Sequence, residues 1–310
     1  MSGMLGALQG AVSQGVLWGI LVLGVYITYR QLNISDLTVD GSFALGGCVC
    51  AVMIINQEVH PVLALFLGMT AGALAGLVTG LLHTVFEIPA ILAGILTQIS
   101  LWSINLRIMG GKSNLSLAKF ETVISKIVSA TGFSQAQGSL LVGVLIAVLM
   151  IIILYWFFGT EYGSALRATG NNEDMIRALG VNTKTAKIIA LMLANALVGL
   201  SGALVAQSQK FADIGMGTGA IVIGLAAIII GEVLMGWLRS FGSKLLSAVI
   251  GSVVYFLIRA IVLQLGMDTN DMKLLSALIV AVALCVPVAV SKWNMYKSYS
   301  EKGEFDADDY

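Results

Sequence analysis

Apolar residues fill the chain in long runs, and short polar stretches separate these runs. A helix needs ~20 predominantly apolar residues to cross the hydrocarbon core of a bilayer. Because the runs reach this length, the pattern predicts an all-α, polytopic membrane helix bundle. We expect about nine transmembrane helices, near residues 11–29, 37–55, 62–82, 88–108, 139–158, 187–206, 218–238, 245–265 and 274–290.

Composition points to the same class of protein. Hydrophobic residues make up 58% of the 310 residues and charged residues only 11%, whereas a soluble domain carries about 25% charged residues. The 35 glycines suit membrane helices, because small residues let helix backbones approach closely. Formal net charge is zero, so no basic field suggests a nucleic-acid partner.

The distribution of basic residues predicts an orientation. The first of them is Arg30, so we expect no cleavable signal peptide, which would begin with a basic region. Under the positive-inside rule, Arg30 lies inside and the N-terminus outside. Alternating spans then place the loop at about 159–186 and the tail at 291–310 in the cytoplasm. The outer loop at about 109–138 also carries lysines, which opposes this assignment.

Motifs for chemistry within this chain are missing from the sequence. The cysteines Cys48, Cys50 and Cys285 lie in apolar runs and indicate small core residues, and His60 and His83 are too far apart to suggest a metal site. Neither G-x-S-x-G nor H-E-x-x-H nor C-x-x-C occurs. We therefore expect no catalytic residue, no metal site and no cofactor held by this chain.

One stretch resembles a phosphate-binding loop without meeting its requirements. The sequence MGGKSN occupies residues 109–114, but a P-loop needs a glycine at the position that Leu106 holds. The preceding residues also indicate a membrane helix rather than a strand. Gly110 and Gly111 are therefore interpreted as the end of the fourth span, and no nucleotide site is expected.

The most polar internal stretch is ALRATGNNEDMIRALGVNTKTAK, residues 165–187. Asn171 or Asn172 can cap a helix there, two acidic residues follow in its first turn, and Gly180 can end it. A helix of about two turns is too short to be stable alone in water, so it must dock on something. One apolar edge of Met, Ile and Leu favours a groove in another protein. The alternative is a connector that lies on the membrane surface.

Residues 163–204, GSALRATGNNEDMIRALGVNTKTAKIIALMLANALVGLSGAL, resemble the cytoplasmic loop and following span of ABC transporter permeases of the branched-chain amino acid and ribose import class. Three further stretches resemble one poorly characterised subgroup, some members of which are linked to uptake of tryptophan or other aromatic amino acids. They are YRQLNISDLTVDGSFALGG (29–47), HTVFEIPAILAGILTQISLWSINLRIMGGKSNLSL (83–117) and FADIGMGTGAIVIGLAAIIIGEVL (211–234). Relatives have eight to ten spans, which leaves a re-entrant form open for the first ten residues.

The resemblance implies a single permease domain over residues 1–310 in the bacterial cytoplasmic membrane. It also implies a homodimer, two separate ATPase subunits that bind ATP and Mg, and an external solute-binding lipoprotein. The short helix would be the coupling helix, which inserts into a cleft of the ATPase. The residues that this role assigns to ATPase coupling are Arg167, Asn171, Asn172, Glu173, Asp174, Met175, Arg177, Leu179 and Gly180.

Two junctions along the chain have a similar pattern. NISDLTVDGSFALGG (33–47) follows the first span and FADIGMGTGAIVIGL (211–225) follows the sixth, and both lead from an acidic residue through small residues into an apolar run. The predicted topology puts these junctions on opposite sides of the membrane. Such a relation is typical of inverted repeats, and interrupted segments at corresponding positions indicate a transport pathway.

Polar residues inside the spans are candidates for the substrate pathway. Gln98, Trp102 and Asn105 fall at i, i+4 and i+7 on one helical face, which would suit a solute with an apolar or aromatic part. Asp40 lies early in the second span, where an acidic residue is costly unless it is functional. The alternatives are ordinary hydrogen bonding between helices and capping of a broken helix. The full set predicted to line the pathway is Asp40, Ser42, Phe43, Gln98, Trp102 and Asn105.

Two other acidic residues are assigned more local roles. Asp213, at the outer junction, is a candidate contact for the external binding protein. Glu232, late in the seventh span, is expected to pair with Arg239 near the cytoplasmic surface.

Two other function classes remain open from the residues. A self-contained secondary transporter would also show inverted repeats and intramembrane acids, and would work from an ion gradient without an ATPase. An intramembrane enzyme would need a catalytic pair that no motif reveals. The ABC permease is favoured because it explains the helix within residues 165–187.

Overall fold

The computed structural model describes residues 2–236, 240–266, 271, 274–282, 285, 289 and 292–293. Eleven α-helices and two short strands are delimited in this part of the chain, and a π-helical turn, Ile27–Gln31, continues the first helix. The helices are α1 (Ser2–Tyr26), α2 (Thr38–Gln57), α3 (Pro61–Thr84), α4 (Ala90–Ile108), α5 (Val123–Thr131), α6 (Gln135–Gly159), α7 (Glu161–Asn171), α8 (Glu173–Ala178), α9 (Thr183–Gln209), α10 (Ala220–Met235) and α11 (Phe241–Gln264). The strands are β1 (Asn114–Ser116) and β2 (Phe211–Asp213).

The all-α, polytopic bundle is confirmed, whereas the count of nine spans is not. Within the described residues, 7 helices are long and apolar enough to cross a membrane, namely α1 with its π-helical turn, α2, α3, α4, α6, α9 and α11. The predicted span 218–238 corresponds to α10, which has only 16 residues. At 1.5 Å per residue it is about 24 Å long, short of the ~30 Å hydrocarbon core. The predicted span 274–290 is helical over 274–282, and most of its remainder lies outside the described residues.

The bundle has two distinct ends. At the β end, β1 and β2 pair antiparallel, and the Ser13 hydroxyl of α1 donates to the carbonyl oxygen of Ala136 at the start of α6. The α8 end holds α7, α8 and the loop between α3 and α4, where Glu87 lies 3.4 Å from the Lys184 ammonium. The N-terminal helix and the segment at 109–138 therefore share one end, opposite the loop at 159–186. This is the relative placement that the alternation of spans predicts.

Helix α9 is the centre of the bundle and packs against α1, α2 and α3. Its contact with α3 is a backbone contact, because α3 presents glycines at every fourth position. A Cβ added to Gly72 would lie 2.2 Å from the carbonyl oxygen of Asn195, and one added to Gly76 would lie 2.3 Å from that of Leu191. Only glycine allows this approach, which is the close packing expected of membrane helices.

Helices α2 and α10 both begin inside the bundle. Asp36, just before α2, accepts a hydrogen bond from the side chain of Asn195, which lies twelve residues along α9 and hence about 18 Å from its first residue. The start of α10 lies beside α2, where the Asp40 carboxylate accepts hydrogen bonds from the backbone N–H groups of Gly219 (2.8 Å) and Ile221 (3.0 Å). From this meeting point α2 runs to the β end and α10 to the α8 end.

The two loops that lead into these helices share a local geometry. Asp36 Oδ1 accepts the backbone N–H of Thr38 at 2.9 Å, and Asp213 Oδ1 accepts that of Gly215 at 2.7 Å. In both, an aspartate closes a turn onto the residue two positions later, a conformation that short acidic side chains favour. Helices of opposite direction that start from matching turns are what an inverted repeat predicts.

Candidate functional site

A cavity of about 250 Å³ lies where α2, α4 and the loop before α10 meet. The residues that line it are Asp40, Gly41, Gln98, Trp102, Asn105, Ile214 and Thr218. Four of the six residues predicted for the pathway are therefore brought together, and the α4 stripe at i, i+4 and i+7 forms one wall. Gly41, Ile214 and Thr218 were not among the predicted residues.

Asn105 is the most unusual residue of the cavity. Its side chain is 1% exposed, and neither its amide nitrogen nor its amide oxygen has a hydrogen-bond partner among the described residues. Buried polar groups in proteins are nearly always hydrogen-bonded. The predicted alternative, that Asn105 bonds one helix to another, is therefore not what the structure contains.

The Asp40 carboxylate reaches the cavity while it caps α10. Because its two acceptor bonds hold the first backbone N–H groups of α10, the alternative interpretation, capping of a broken helix, is correct for this residue. A carboxylate has about four acceptor positions, so capping does not exhaust it. Asp40 thus has both a structural role and an open side toward the cavity.

Ser42 and Phe43, also predicted for the pathway, do not line this cavity. The Ser42 hydroxyl is buried and donates to Asn195 Oδ1 at 2.7 Å. Phe43 is also buried, with its ring centroid 4.6 Å from that of Trp18 on α1. Both side chains hold α2 against its neighbours, because α2 is buried on most of its surface and only one side faces the cavity.

Helix α8 forms where the sequence predicts it, with a defined cap. Asn172 is the N-cap, and its side chain accepts the backbone N–H of Met175 at 3.0 Å. Gly180 follows the helix with a φ of 86°, which favours glycine at this stop. The helix has 6 residues, close to the two turns that the sequence predicts.

The apolar residues of α8 divide between a buried and an exposed side. Ile176 is buried against the protein, whereas the side chains of Met175 and Leu179 are 54% and 71% exposed. At about 100° per residue, Met175 and Ile176 mark the two edges of an apolar arc with Leu179 between them, and only the Ile176 edge meets the protein. The exposed apolar surface of α8 is therefore the pair Met175 and Leu179.

Glu173 faces the protein and fixes α8 to α9. Its carboxylate lies 2.5 Å from the Lys187 ammonium and 2.9 Å from the Arg177 guanidinium, and it accepts the Thr183 hydroxyl at 3.1 Å. Partial burial alone would raise the pKa of Glu173, but the Lys187 hydrogen bond and charge, the Thr183 hydroxyl and the Arg177 charge together lower it. An intact Glu173 therefore stabilises the position of α8.

The other residues assigned to coupling divide between inside and outside. Arg167 is directed into the chain, where it donates to the Phe158 carbonyl at 2.8 Å and its guanidinium lies 5.3 Å from the Phe241 ring centroid. Asn171 is exposed next to the cap, and the Asp174 side chain is 95% exposed. Arg167 thus has an intrachain role, while Asn171 and Asp174 are accessible.

Glu232 and Asp213 lie at opposite ends of the bundle. Glu232 forms an ion pair with Arg30 of the π-helical turn at the α8 end, and its predicted partner, Arg239, lies outside the described residues. Asp213 lies half-buried in β2 at the β end. In the described part of the chain, no group of three His, Cys, Asp or Glu side chains could hold a metal ion.

Comparison with known proteins identifies the family. Residues 7–284 match the family described as branched-chain amino acid transport system / permease component. The chain belongs to this permease family. It is similar to a tyrosine transport system permease protein of Clostridioides difficile, with 38% identity over 92% of this chain and 91% of that one.

Two more distant relatives agree with this placement. A probable branched-chain amino acid transport permease protein, LivH, of Methanocaldococcus jannaschii is 26% identical over 70% of each chain. The ribose import permease protein RbsC of Escherichia coli is 23% identical over 86% of this chain and 81% of that one. The protein is therefore a multi-pass permease of the ABC importer class, a family of the bacterial inner membrane, and a transport component rather than an enzyme.

A buried polar network of this permease was missed by the sequence analysis. Asn195 is fully buried, donates to Asp36 Oδ2 at 2.7 Å and accepts the Ser42 hydroxyl. The signal was an asparagine inside the apolar run that forms α9. This network holds the loop before α2 at its depth in the bundle, and thereby positions Asp40 and the cavity.

Proposed function

We propose that this permease forms the solute pathway of an ATP-driven importer, with a separate ATPase docked on α8 and an external binding protein at the β end. In this arrangement the α8 end is cytoplasmic, the N-terminus is outside, and the C-terminus is cytoplasmic. ATP and Mg bind to the ATPase, and this chain supplies the membrane pathway. A second copy of the chain completes the permease as a homodimer.

The observation that carries the proposal is the exposed pair Met175 and Leu179. Large apolar side chains on a short, polar helix are unfavourable in water, and they fit a groove in a partner. The helix that presents them is held to α9 by Glu173, so a movement of α8 reaches the helix that contacts α1, α2 and α3. Rigid-body movement of this kind is how an ATPase can gate a pathway in which it does no chemistry.

A small amino acid, with an aromatic one as the narrower proposal, is the solute that the observations favour. The relative with 38% identity is a tyrosine transport permease. The cavity between α2, α4 and α10 combines polar groups with the Trp102 ring. Weak contact is sufficient there if the external protein supplies the affinity.

The test is co-purification from the native membrane in mild detergent, followed by mass spectrometry and by ATP-dependent uptake in vesicles. Wild-type chain should bring down a stoichiometric ATPase. The double variant Met175→Glu, Leu179→Glu should insert normally but lose the ATPase and the uptake. The control is Ala178→Ser, which changes an exposed residue of the same helix that is not among those assigned to coupling, and it should keep both.

Two results would overturn the proposal. If the double variant retained stoichiometric ATPase and uptake, α8 would not be the docking helix. If the purified chain alone transported a solute on a proton or sodium gradient, the alternative of a secondary transporter would replace the importer.

A further inference from the structure

The cavity between α2, α4 and the loop before α10 has a specific chemical composition. Its lining residues provide one carboxylate, two primary amides, one hydroxyl and one indole ring. None of them is a lysine or an arginine, so the lining offers no cation to a phosphate or a dicarboxylate. A solute with a positive group, or with no net charge, suits these side chains better than an anion.

Asn105 points to a ligand rather than to packing. Both of its amide atoms are buried and without partners among the described residues, at the wall of a cavity that is large enough for a small molecule. An unpaired buried amide is costly because it has lost water without gaining a hydrogen bond. A solute that brings an acceptor into the cavity can satisfy the amide nitrogen, which is a donor.

Asp40 offers a negatively charged group to the solute. Two backbone N–H groups at the start of α10 hold its carboxylate in place, and this fixes its orientation before any solute arrives. The remaining acceptor positions can receive an ammonium group, which has three donors and no acceptor. A charge-assisted hydrogen bond of this type is stronger than one between neutral groups.

Trp102 provides the apolar surface of the site. Its side chain is 49% exposed although it lies within a membrane-spanning helix, and it lines the same cavity. Aromatic rings prefer offset or edge-to-face contact with other rings. The volume of about 250 Å³ lies below the ~300–1,000 Å³ of sites for drug-sized ligands, so a single small solute fits its scale.

We propose that this cavity is a binding site for a zwitterionic aromatic amino acid. The ammonium of the solute binds Asp40, its carboxylate accepts hydrogen bonds from the amide of Asn105 with the Thr218 hydroxyl nearby, and its ring packs on Trp102. Asn105 is thus the residue that distinguishes an amino acid from an amine. This inference rests on the proposed function, because it names the solute of the same pathway.

The experiment measures direct binding to the purified full-length chain in lipid nanodiscs by saturation-transfer NMR, which detects weak ligands. Three probes separate the groups of the solute: L-tyrosine, tyramine, which lacks the carboxylate, and 3-(4-hydroxyphenyl)propionate, which lacks the ammonium. Asn105→Ala should weaken L-tyrosine at least tenfold and leave tyramine within twofold. Asp40→Asn should weaken L-tyrosine and tyramine and leave the propionate unchanged. Asn at this position keeps one acceptor oxygen for the start of α10.

Two further variants guard against a general loss of folding. Trp102→Leu should weaken all three aromatic probes by a similar factor. Ser100→Ala, on the same helix but outside the lining, should change none of them. Each variant is compared with wild type for thermal unfolding, and Asn105→Ser replaces Asn105→Ala if the latter does not fold.

The inference is overturned if folded wild-type chain binds none of the probes, if ribose competes as well as L-tyrosine, or if Asn105→Ala weakens all probes equally. These outcomes are independent of the proposed function, because no ATPase is present. A chain that brings down its ATPase but lacks the Asn105 selectivity loses only the site. A chain that binds L-tyrosine as described but brings down no ATPase retains the site and loses only the coupling.

Discussion

Replacing Asn195 by alanine should be among the most destabilising single changes in the bundle. The substitution removes both polar atoms from a fully buried position and leaves the Asp36 carboxylate oxygen and the Ser42 hydroxyl without their partner. Alanine is a good helix former, so the α9 backbone itself is not weakened. The loss therefore reports the network and not the helix.

Two energies determine how much stability the Asn195→Ala variant should lose. Hydrogen bonds between membrane helices contribute only about 0.6 kcal/mol on average, whereas a buried polar group left unpaired costs about 1–3 kcal/mol, and more if it is charged. The second figure applies to Asp36, because its side chain is 1% exposed and its other oxygen is already used by the Thr38 N–H. We expect Asn195→Ala to cost roughly 2–4 kcal/mol and Ser42→Ala about 1 kcal/mol.

The assay is thermal unfolding in detergent, followed by size-exclusion chromatography with fluorescence detection. A loss of this size should lower the apparent Tm by roughly 3–6 °C for Asn195→Ala. Combining both substitutions should cost less than the sum, with a coupling of at least about 0.5 kcal/mol, because the two groups share one bond. The reasoning fails if Asn195→Ala melts within a degree of wild type, or if the two losses add without coupling.

Three further changes test individual contacts that the structure shows. Because the Glu173 pKa is lowered, its ion pair stabilises α8 above the ordinary pKa of a glutamate and is lost as the pH falls through the lowered value. The protection of the α8 amides from hydrogen exchange, relative to the intrinsic exchange rate at each pH, should therefore fall in acid. Glu173→Gln should show the low protection at all pH values, and a wild type whose protection does not change with pH would contradict this. Arg30→Glu should lower the apparent Tm slightly, since a half-exposed ion pair contributes about 0.2–1 kcal/mol. Adding Glu232→Arg should restore the Tm, and a double variant whose Tm stays low would contradict the pairing. Gly46→Val should abolish monodisperse expression, because a Cβ at this position would lie 2.0 Å from a carbonyl oxygen of α9. The control Gly10→Ala, whose Cβ would have nothing within 4 Å, should express normally. Normal expression of both variants would contradict the close approach of the two helices.

The sequence was most informative where local chemistry decides the structure. The positions of Gln98, Trp102 and Asn105 on one face follow from helical periodicity alone, and the structure places all three at one cavity. The cap at Asn172 and the stop at Gly180 are set by short-range hydrogen bonds and backbone angles. Such features need no knowledge of distant contacts.

The rest depends on contacts between residues far apart along the chain. Among the described residues Glu232 pairs with Arg30, 202 residues away, and no local pattern indicates such a pair. Ser42 and Phe43 could not be assigned to a face because α2 is apolar and small on every side, so periodicity gives no direction. The start of α10 beside Asp40 was hidden for a similar reason, since apolar length does not reveal the depth at which a helix begins.

The predicted apolar edge of α8 is divided in the structure. At about 100° per residue, Met175, Ile176 and Leu179 lie within an arc of about 100°, with Leu179 between the other two, so helical angle alone predicts one edge. The structure buries Ile176 and exposes the pair. For a helix of 6 residues, the part of an apolar arc that is buried depends on where the rest of the chain packs against it, which the local pattern does not show.

Because glycines hold α3 and α9 in direct backbone contact, the two helices should move together as one rigid unit. Two backbones that touch without side chains have nothing compliant between them, so α3 must follow when α9 tilts. Asn195 lies about 18 Å from one end of α9 and about 21 Å from the other, so a tilt of roughly 10° about this point would displace each end by about 3–4 Å in opposite directions. A displacement of the α8 end of α9 would therefore move the other end, next to β2, by a similar distance in the opposite direction.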